Sequence, residues 1–257
     1  MHALAAGDAP ATDRIRVLGI RIDSLRLPDL LAHVRSTIEQ GRRLTVLYVN
    51  VHCLNVARHD PAYARILSTA DLVYCDGTGV QLAARLLGTP LPARMTGADW
   101  IWDLAALCAQ QDFSLFLLGG GEGAAAEAAS RLQHRYPQLR IVGTAAGYRV
   151  GAETLAAITQ ARPDILLVGM GTPRQERWIA AHRAELQVPV VWAVGALFEF
   201  VAGRIRRGPR LLTDHGLEWL CRLLIEPTKL WRRYLLGNPA FAWALFRDWR
   251  ERRREGR

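Results

Sequence analysis

Cysteine is scarce in this sequence, and its placement gives it no structural pattern. The four cysteines, Cys53, Cys75, Cys108 and Cys221, show neither CxxC spacing nor a regular rhythm. This arrangement suggests neither a disulfide framework nor a zinc module, and it fits a reducing cytoplasm.

Long apolar segments are also missing. The longest apolar run, Val188 to Gly203, has about sixteen residues and includes Pro189 and Glu199, whereas a membrane-spanning helix needs roughly twenty. The first twelve residues have neither the charged start nor the apolar stretch of a signal peptide. We therefore expect no transmembrane segment, and we expect residues 1–14 to be a disordered lead-in.

Excess positive charge is absent from most of the chain. From Met1 to Gly203, 19 arginines are balanced by 18 acidic residues, whereas Arg204 to Arg257 has 14 basic residues and 6 acidic ones. The net charge of +9 therefore comes almost entirely from the C-terminal segment.

Short apolar segments alternate with amphipathic ones along residues 15–203. A leading strand is predicted at Ile15–Ile22 and an amphipathic helix at Pro28–Gln40. Core strands are predicted at Leu44–Val49, Leu72–Cys75, Phe113–Leu118, Leu139–Val142, Ile165–Val168 and Val188–Val194. Helices are predicted at Pro61–Thr69, Val80–Leu87, Trp100–Cys108, Ala124–Arg135 and Pro173–Glu185. The alternation predicts an α/β fold, a doubly wound Rossmann-like parallel sheet over residues 15–203, followed by a basic, amphipathic helical C-terminal appendage over residues 204–257.

The loops after the predicted strands are the expected location of the site. In an open parallel sheet, ligands bind in the crevice beyond the carboxyl ends of the strands. The loops concerned are Asn50–His52, Asp76–Gly79, Gly119–Gly123, Gly169–Gln175 and Gly195–Phe198.

Asp76 follows an apolar strand and precedes Gly77, Thr78 and Gly79. A carboxylate at a strand end, where glycines let a ligand approach the backbone, is well placed to act as a general base. The alternative is an aspartate that caps the following helix.

The glycine-rich loop Gly119–Gly123 follows a strand and opens a helix, which formally matches a dinucleotide-binding pattern. However, the next strand, Leu139–Val142, is not followed by the acidic residue that would bind a ribose, and Glu122 would oppose a pyrophosphate. The pattern therefore favours a loop lining a nucleotide site, with a simple tight turn as the alternative.

The segment Gly169–Glu176 contains two glycines, Pro173 and then Gln175 with Glu176. This order predicts a sharp exit from a strand and a helix whose start presents both polar side chains to an anionic or hydroxyl-rich ligand. Alternatively, Glu176 only complements the helix dipole and Gln175 faces water.

A cation, a hydroxyl and a carboxylate, those of Arg94, Thr96 and Asp99, precede the helix predicted at Trp100–Cys108. The Thr96 and Asp99 pair fits a sugar-binding loop and a helix start equally well.

The sequence shows no recognised metal site. There is no Asp-x-Asp motif, and the spacing of His52, Cys53 and His59 fits neither zinc nor magnesium. If a diphosphate leaving group is stabilised, cationic side chains must replace the metal.

The C-terminal segment interleaves cations with aromatic and apolar residues. Arg222, Lys229 and Arg233 would share one side of a continuous helix, although Pro227 interrupts that helix. The tryptophans of this segment are Trp219, Trp231, Trp243 and Trp249. A basic amphipathic surface with tryptophan is typical of an anionic membrane surface, and the alternative is a helix docked on the core with a solvated basic face.

Several ordered motifs occur together between Ile15 and Phe246. They are Asn50, Asp76–Gly77, Arg94–Asp99, Gly169–Glu176, Gly195–Gly203, Gly216–Trp219 with Arg222, Glu226–Pro227 and Arg232–Tyr234. In this combination the chain resembles the WecG/TagA/CpsF family of glycosyltransferases. The resemblance implies an inverting, metal-independent hexosyltransferase without a cofactor, which moves a sugar from a UDP-sugar to a polyprenyl-diphosphate-linked glycan in bacterial surface polysaccharide synthesis. It also implies a cytoplasmic protein, peripheral on the inner face of the cell membrane.

The resemblance also implies roles for individual residues. Asp76 would remove the proton from the acceptor hydroxyl. Substrate-binding roles are implied for Asn50, Arg94, Thr96, Asp99, Gln175, Glu176, Arg222, Lys229 and Arg232. Of these, Arg222, Lys229 and Arg232 belong to the appendage, which would close over the site near the diphosphate.

Two residues depart from the family pattern. Tyr48 stands where many relatives have a small hydroxyl residue, which leaves the donor and acceptor identities open. Lys229 stands where the family has arginine, which keeps the charge but loses a bidentate fork, and we expect activity to survive the change.

Two other functional classes are weighed against the transferase. A nicotinamide-dependent oxidoreductase is suggested only by the glycine-rich loop and the sheet pattern. A nucleic-acid-binding protein is suggested by the basic tail, but the core is nearly neutral and the basic residues alternate with large apolar ones, so no nucleic acid is expected. A homo-oligomer is compatible with an exposed tail.

Overall fold

The described part of the chain, residues 13–148, 150–206, 208–209, 212–213 and 216–255, is an α/β structure in a computed structural model. Its strands are β1 (Arg14–Val17), β2 (Ile20–Asp23), β3 (Leu44–Val49), β4 (Leu72–Cys75), β5 (Ser114–Gly119), β6 (Arg140–Ala145), β7 (Ile165–Gly169) and β8 (Val190–Ala193). Its helices are α1 (Leu27–Glu39), α2 (Val51–His59), α3 (Pro61–Thr69), α4 (Thr78–Leu86), α5 (Gly97–Gln111), α6 (Ala124–Arg135), α7 (Ala152–Ala161), α8 (Arg174–His182), α9 (Leu197–Val201), α10 (Glu218–Ile225), α11 (Pro227–Trp231) and α12 (Gly237–Glu255). A π-helical turn, Arg232–Leu236, joins α11 to α12.

Strands β3 to β8 form one parallel sheet in the order β4-β3-β8-β7-β5-β6. Every residue of β4, β5, β7 and β8 is buried, which explains why these strands read as continuous apolar runs. The predicted Rossmann-like α/β fold is confirmed. Because the strands are parallel, the loops that follow them meet at one edge of the sheet.

Most predicted elements of the core have the expected positions. The strands at Leu44–Val49 and Leu72–Cys75 and the helices at Pro61–Thr69 and Ala124–Arg135 have the predicted bounds, and the other core elements end within three residues of them. The loop predicted at Asn50–His52 is wrong, because only Asn50 lies outside a helix and α2 begins at Val51.

The leading strand predicted at Ile15–Ile22 is instead an antiparallel hairpin of β1 and β2. The chain turns at Leu18 and Gly19, which both have positive φ angles. Strand β2 then covers the edge of the parallel sheet, where Asp23 Oδ2 accepts a hydrogen bond from the Val73 N–H at 2.7 Å. Residues 1–12 of the predicted lead-in lie outside the described residues.

The C-terminal segment folds back onto the core. Pro227 ends one helical piece and begins the next, as predicted, because it has no N–H to continue the ladder. Helix α12 packs on α2, where Asn55 Nδ2 donates to Gly237 O at 2.7 Å, and Phe241 and Leu245 are buried with the core. Within the described ranges, no helix combines the length and hydrophobicity needed to cross a bilayer.

Candidate functional site

A cleft of about 1600 Å³ opens beyond the carboxyl ends of the parallel strands. Each of five strands contributes a residue to its wall: Asn50 after β3, Asp76 after β4, Gly120 after β5, Gly169 at the end of β7 and Gly195 after β8. The rest of the wall comes from α4, from the loops after the strands and from the C-terminal helices α10 to α12. The cleft therefore lies between the sheet and the C-terminal segment.

Asp76 extends strand β4 by one step, since its N–H donates to Val49 O at 2.9 Å. The neighbouring strand β3 is followed directly by Asn50, whose Oδ1 caps α2 by accepting from the Cys53 N–H at 3.1 Å. This cap turns the Asn50 Nδ2 towards Asp76, at 3.4 Å from its Oδ2. Adjacent parallel strands thus bring the two predicted site residues into contact.

The surroundings of Asp76 make its carboxyl group more basic than usual. Burial raises the pKa of Asp76 to about 6, and the negative charge of Glu218 contributes in the same direction. The hydrogen bond from Asn50 and the charges of Arg233 and Arg94 lower this pKa but do not outweigh burial. The carboxylate is ionised at neutral pH and can accept a proton from a bound hydroxyl group.

Arg94 joins the sheet side of the cleft to the C-terminal segment. Its Nη2 donates to Thr213 O at 2.9 Å, and its Nη1 lies 3.5 Å from Glu218 Oε2 and 3.5 Å from Thr96 Oγ1. Thr96 lines the cleft and precedes α5, and its side chain makes no capping hydrogen bond. Asp99 is an exposed residue in the first turn of α5 and is not part of the cleft wall.

Gln175 and Glu176 open helix α8, but neither is presented to the solvent or to the cleft surface. Both side chains are 0% exposed, so the prediction that the helix start presents them to a ligand is wrong, as is the alternative that Gln175 faces water. Their hydrogen bonds go to residues that do line the cleft, including Tyr48 and Gly195.

The predicted cations of the C-terminal segment separate into two groups. Arg222 lines the cleft, with its guanidinium 5.1 Å from the Phe200 ring centroid. Arg233 also lines it, whereas Arg232 is exposed and stacks over Trp231 at 5.3 Å. The prediction of Arg232 at this position is corrected to Arg233, because consecutive helical residues point in directions about 100° apart. The side chain of Lys229 lies outside the described residues.

The glycine-rich loop is occupied by the protein itself. Gly121 N–H donates to Glu199 Oε1 at 2.7 Å, at the position where a dinucleotide would direct its pyrophosphate. A second anion there would meet this carboxylate, which argues against a nicotinamide dinucleotide in this loop.

No three His, Cys, Asp or Glu side chains cluster as metal ligands in the part of the chain that the structure describes. The four cysteines are buried and unbridged.

The cleft wall combines apolar and cationic side chains. Leu82 and Leu86 of α4 and Phe246 and Trp249 of α12 line it, together with Arg85 and Arg253. A ligand that has both a hydrocarbon portion and a charged portion fits such a lining.

Glu218 lines the site although it was not among the predicted site residues, whereas Arg233 was grouped with Arg222 and Lys229 by helical spacing while the family resemblance implied Arg232. Glu218 lies in the block Gly216–Trp219, and Arg233 in the block Arg232–Tyr234, so both signals were present in the motifs. The motifs do not show which side of each helix faces the cleft.

Comparisons with known proteins agree on one family. Residues 15–255 match the family described as "Glycosyl transferase WecG/TagA/CpsF family". A protein of Bacillus spizizenii named N-acetylglucosaminyldiphosphoundecaprenol N-acetyl-beta-D-mannosaminyltransferase is 30% identical over 231 residues, which cover 88% of each chain. A Staphylococcus aureus protein of the same name is 28% identical over 225 residues, covering 86% of this chain and 87% of its own. The chain therefore belongs to the WecG/TagA/CpsF family of glycosyltransferases and is a hexosyltransferase.

Proposed function

We propose that the protein transfers a sugar from a UDP-sugar to a polyprenyl-diphosphate-linked glycan, with inversion at the anomeric carbon, in the synthesis of a bacterial surface polysaccharide. The relatives are named for an acceptor in which N-acetylglucosamine is joined through a diphosphate to undecaprenol. The single observation that supports this function best is the cleft itself, whose wall combines Asp76, a carboxyl group with a raised pKa, with arginines and large apolar side chains.

In this mechanism, Asp76 takes the proton from the acceptor hydroxyl. The hydroxyl oxygen then forms a bond to the anomeric carbon, the bond from that carbon to the UDP oxygen breaks, and UDP leaves with the electron pair. Attack from the side opposite UDP inverts the configuration. Asn50, which contacts Asp76 and caps α2, holds the carboxylate and a sugar or acceptor group.

The leaving diphosphate and the diphosphate of the acceptor both need positive charge. Arg94, Arg222 and Arg233 line the cleft, and we propose that they supply this charge without a metal ion. Lys229 and Thr96 keep their predicted roles in substrate binding. Asp99 is exposed outside the cleft wall, so its role in binding stays a prediction.

The apolar surface of the C-terminal segment supports a position at the membrane. Leu224 is 74% exposed and Trp243 is 63% exposed. Among the described residues of this segment, the other large apolar side chains that are exposed are Ile225, Trp231, Leu235, Leu236 and Phe246. Because arginines alternate with them, we propose that this surface lies on anionic lipid at the inner face of the membrane, where the acceptor is anchored.

The experiment that tests the function measures UDP release from a panel of UDP-sugars. The reaction contains a synthetic polyprenyl-diphosphate glycan in detergent, with EDTA present. Release that requires both one donor and the acceptor supports the proposal, and the stereochemistry of the isolated product tests inversion. If the folded protein turns over no donor with any lipid acceptor, the proposal is wrong.

A further inference from the structure

The buried polar side chains of Gln175 and Glu176 form hydrogen bonds with residues of the cleft wall. Gln175 connects two elements of the wall: its Oε1 accepts from the Gly195 N–H at 2.9 Å, and its Nε2 donates to the Tyr48 hydroxyl at 3.3 Å. Gly195 has a positive φ, and a Cβ added there would lie 2.5 Å from the Tyr48 hydroxyl oxygen, so the two walls are in direct contact. Gln175 therefore sets the positions of two cleft residues although it is itself buried.

Glu176 helps to determine which way the Gln175 carboxamide points. Its Oε1 accepts from Gln175 Nε2 at 2.9 Å and from Thr172 Oγ1 at 2.9 Å. If the carboxamide turned over, its oxygen would face Glu176 Oε1 and its NH₂ group would face the Gly195 N–H. Both contacts would be repulsive, so Glu176 Oε1 and the Gly195 N–H together select one orientation.

The surroundings of Glu176 favour its neutral form. Among the described residues, the Oε2 atom of Glu176 is buried and has no hydrogen-bond partner. The titratable groups around it are the thiol of Cys53 and the phenols of Tyr48 and Tyr63, which come from α2, β3 and α3. Burial raises the pKa of Glu176 and outweighs the hydrogen bonds from Gln175 and Thr172, which lower it. Burial also raises the pKa of Cys53 to about 11, so none of these groups supplies a compensating charge.

We propose that Glu176 is a positioning residue that acts as a neutral acid, holding Gln175 so that Tyr48 and Gly195 keep the shape of the cleft. This role rests on the proposed transferase function. It replaces direct substrate binding by Glu176, because the side chain is fully buried. A neutral acid has one acceptor oxygen and one O–H donor, and a glutamine at this position has the same pair of functions.

The test compares Glu176→Gln with Glu176→Ala. We expect Glu176→Gln to keep kcat/KM within about threefold of the wild type, because it preserves the acceptor for Gln175 and Thr172. Glu176→Ala should lose roughly thirtyfold, since Gln175 Nε2 and the Thr172 hydroxyl then lose their buried acceptor and Gln175 is held from one side only. If Glu176→Gln loses as much as Glu176→Ala, an ionised carboxylate is needed and the proposal is overturned. Full activity of Glu176→Ala would overturn it as well.

A second readout does not depend on activity or on the folding of Glu176→Ala. The infrared difference spectrum of wild type minus Glu176→Gln, recorded at neutral pH without substrate, should contain the carbonyl stretch of a protonated carboxylic acid. The matched control is Glu185→Gln, an exposed residue after α8 in the same segment, which should give only ionised-carboxylate bands. Ionised-carboxylate bands for Glu176 would overturn the proposal. Since this spectrum needs no substrate, a wild type without transferase activity would refute the proposed function and still leave the charge of Glu176 measured.

Discussion

The sheet and the C-terminal segment form two halves of one cleft, and the side chains that they contribute differ in charge and polarity. The sheet side has buried strands, nearly balanced charge and a carboxyl group made basic by burial. The C-terminal side has arginines, exposed tryptophan and leucine, and a helix held on the core by Phe241 and Leu245. The comparison indicates a division of tasks: the sheet positions the base, and the C-terminal segment supplies cations and an apolar surface.

Removing the base tests the sheet side and should give the largest effect. We expect Asp76→Asn to reduce kcat/KM by about a thousandfold, because the amide fills the same space but cannot accept the proton. Acceptor-dependent UDP release measures the loss, and circular dichroism checks the fold. Asp103→Asn, an exposed change on α5, is the matched control. Full activity in Asp76→Asn would show that the sheet side does not supply the base.

Removing a cation tests the other half of the cleft. Arg222→Ala should reduce kcat/KM by about a hundredfold, because a guanidinium facing the diphosphate is lost. Arg222→Lys should recover only part of the loss, since an ammonium cannot donate two parallel hydrogen bonds. The control is Arg247→Ala, because Arg247 is 64% exposed and pairs with Glu251 on α12. Equal losses in both variants would indicate a general effect of positive charge, not a specific role for Arg222.

The exposed leucines test whether the C-terminal segment also contacts lipid. In Leu235→Ser/Leu236→Ser, we expect binding to vesicles with anionic lipid to fall about tenfold, because two exposed apolar side chains lose their transfer into the membrane interface. Sedimentation with vesicles measures binding. The ratio of the transfer rate with a vesicle-bound acceptor to the transfer rate with a short-chain acceptor should fall together with vesicle binding. An unchanged ratio would show that the surface around Leu235 and Leu236 does not contact the lipid.

The smallest predicted effect concerns the contact between the two halves. The rate should fall as the pH drops through the pKa of Asp76, about 6, because protonation removes the base. Glu218 raises this pKa, so Glu218→Gln should move the acid limb to lower pH by less than about one unit. Arg94, freed from its ion pair with Glu218, would act in the same direction.

The pH profile of kcat/KM measures this shift, and Glu185→Gln is the exposed control. A shift to higher pH in Glu218→Gln would contradict the electrostatic account of Asp76.

The residues at the centre of the site could be predicted from the sequence because a strand end is recognised from a short stretch of residues. Asn50 and Asp76 each follow an apolar run, and parallel strands bring such residues together. The hairpin of β1 and β2 was not predicted because leucine, the residue at position 18, is not typical of turns. The contact of β2 with the edge strand β4 explains why the chain turns there, and this contact is visible only in the folded structure.

The sequence by itself determined the fold class, the strand ends that carry Asn50 and Asp76, and the concentration of arginine and tryptophan at the C-terminus. These follow from apolar periodicity and composition, which are local properties. Only the tertiary structure decided that Glu218 lies beside Arg94 and that Glu176 is buried, and it decided between Arg233, which helical spacing grouped with Arg222, and Arg232, which the family resemblance implied. Such facts depend on the phase and docking of helices distant in sequence, and burial sets the charge of a side chain only once the chain is packed.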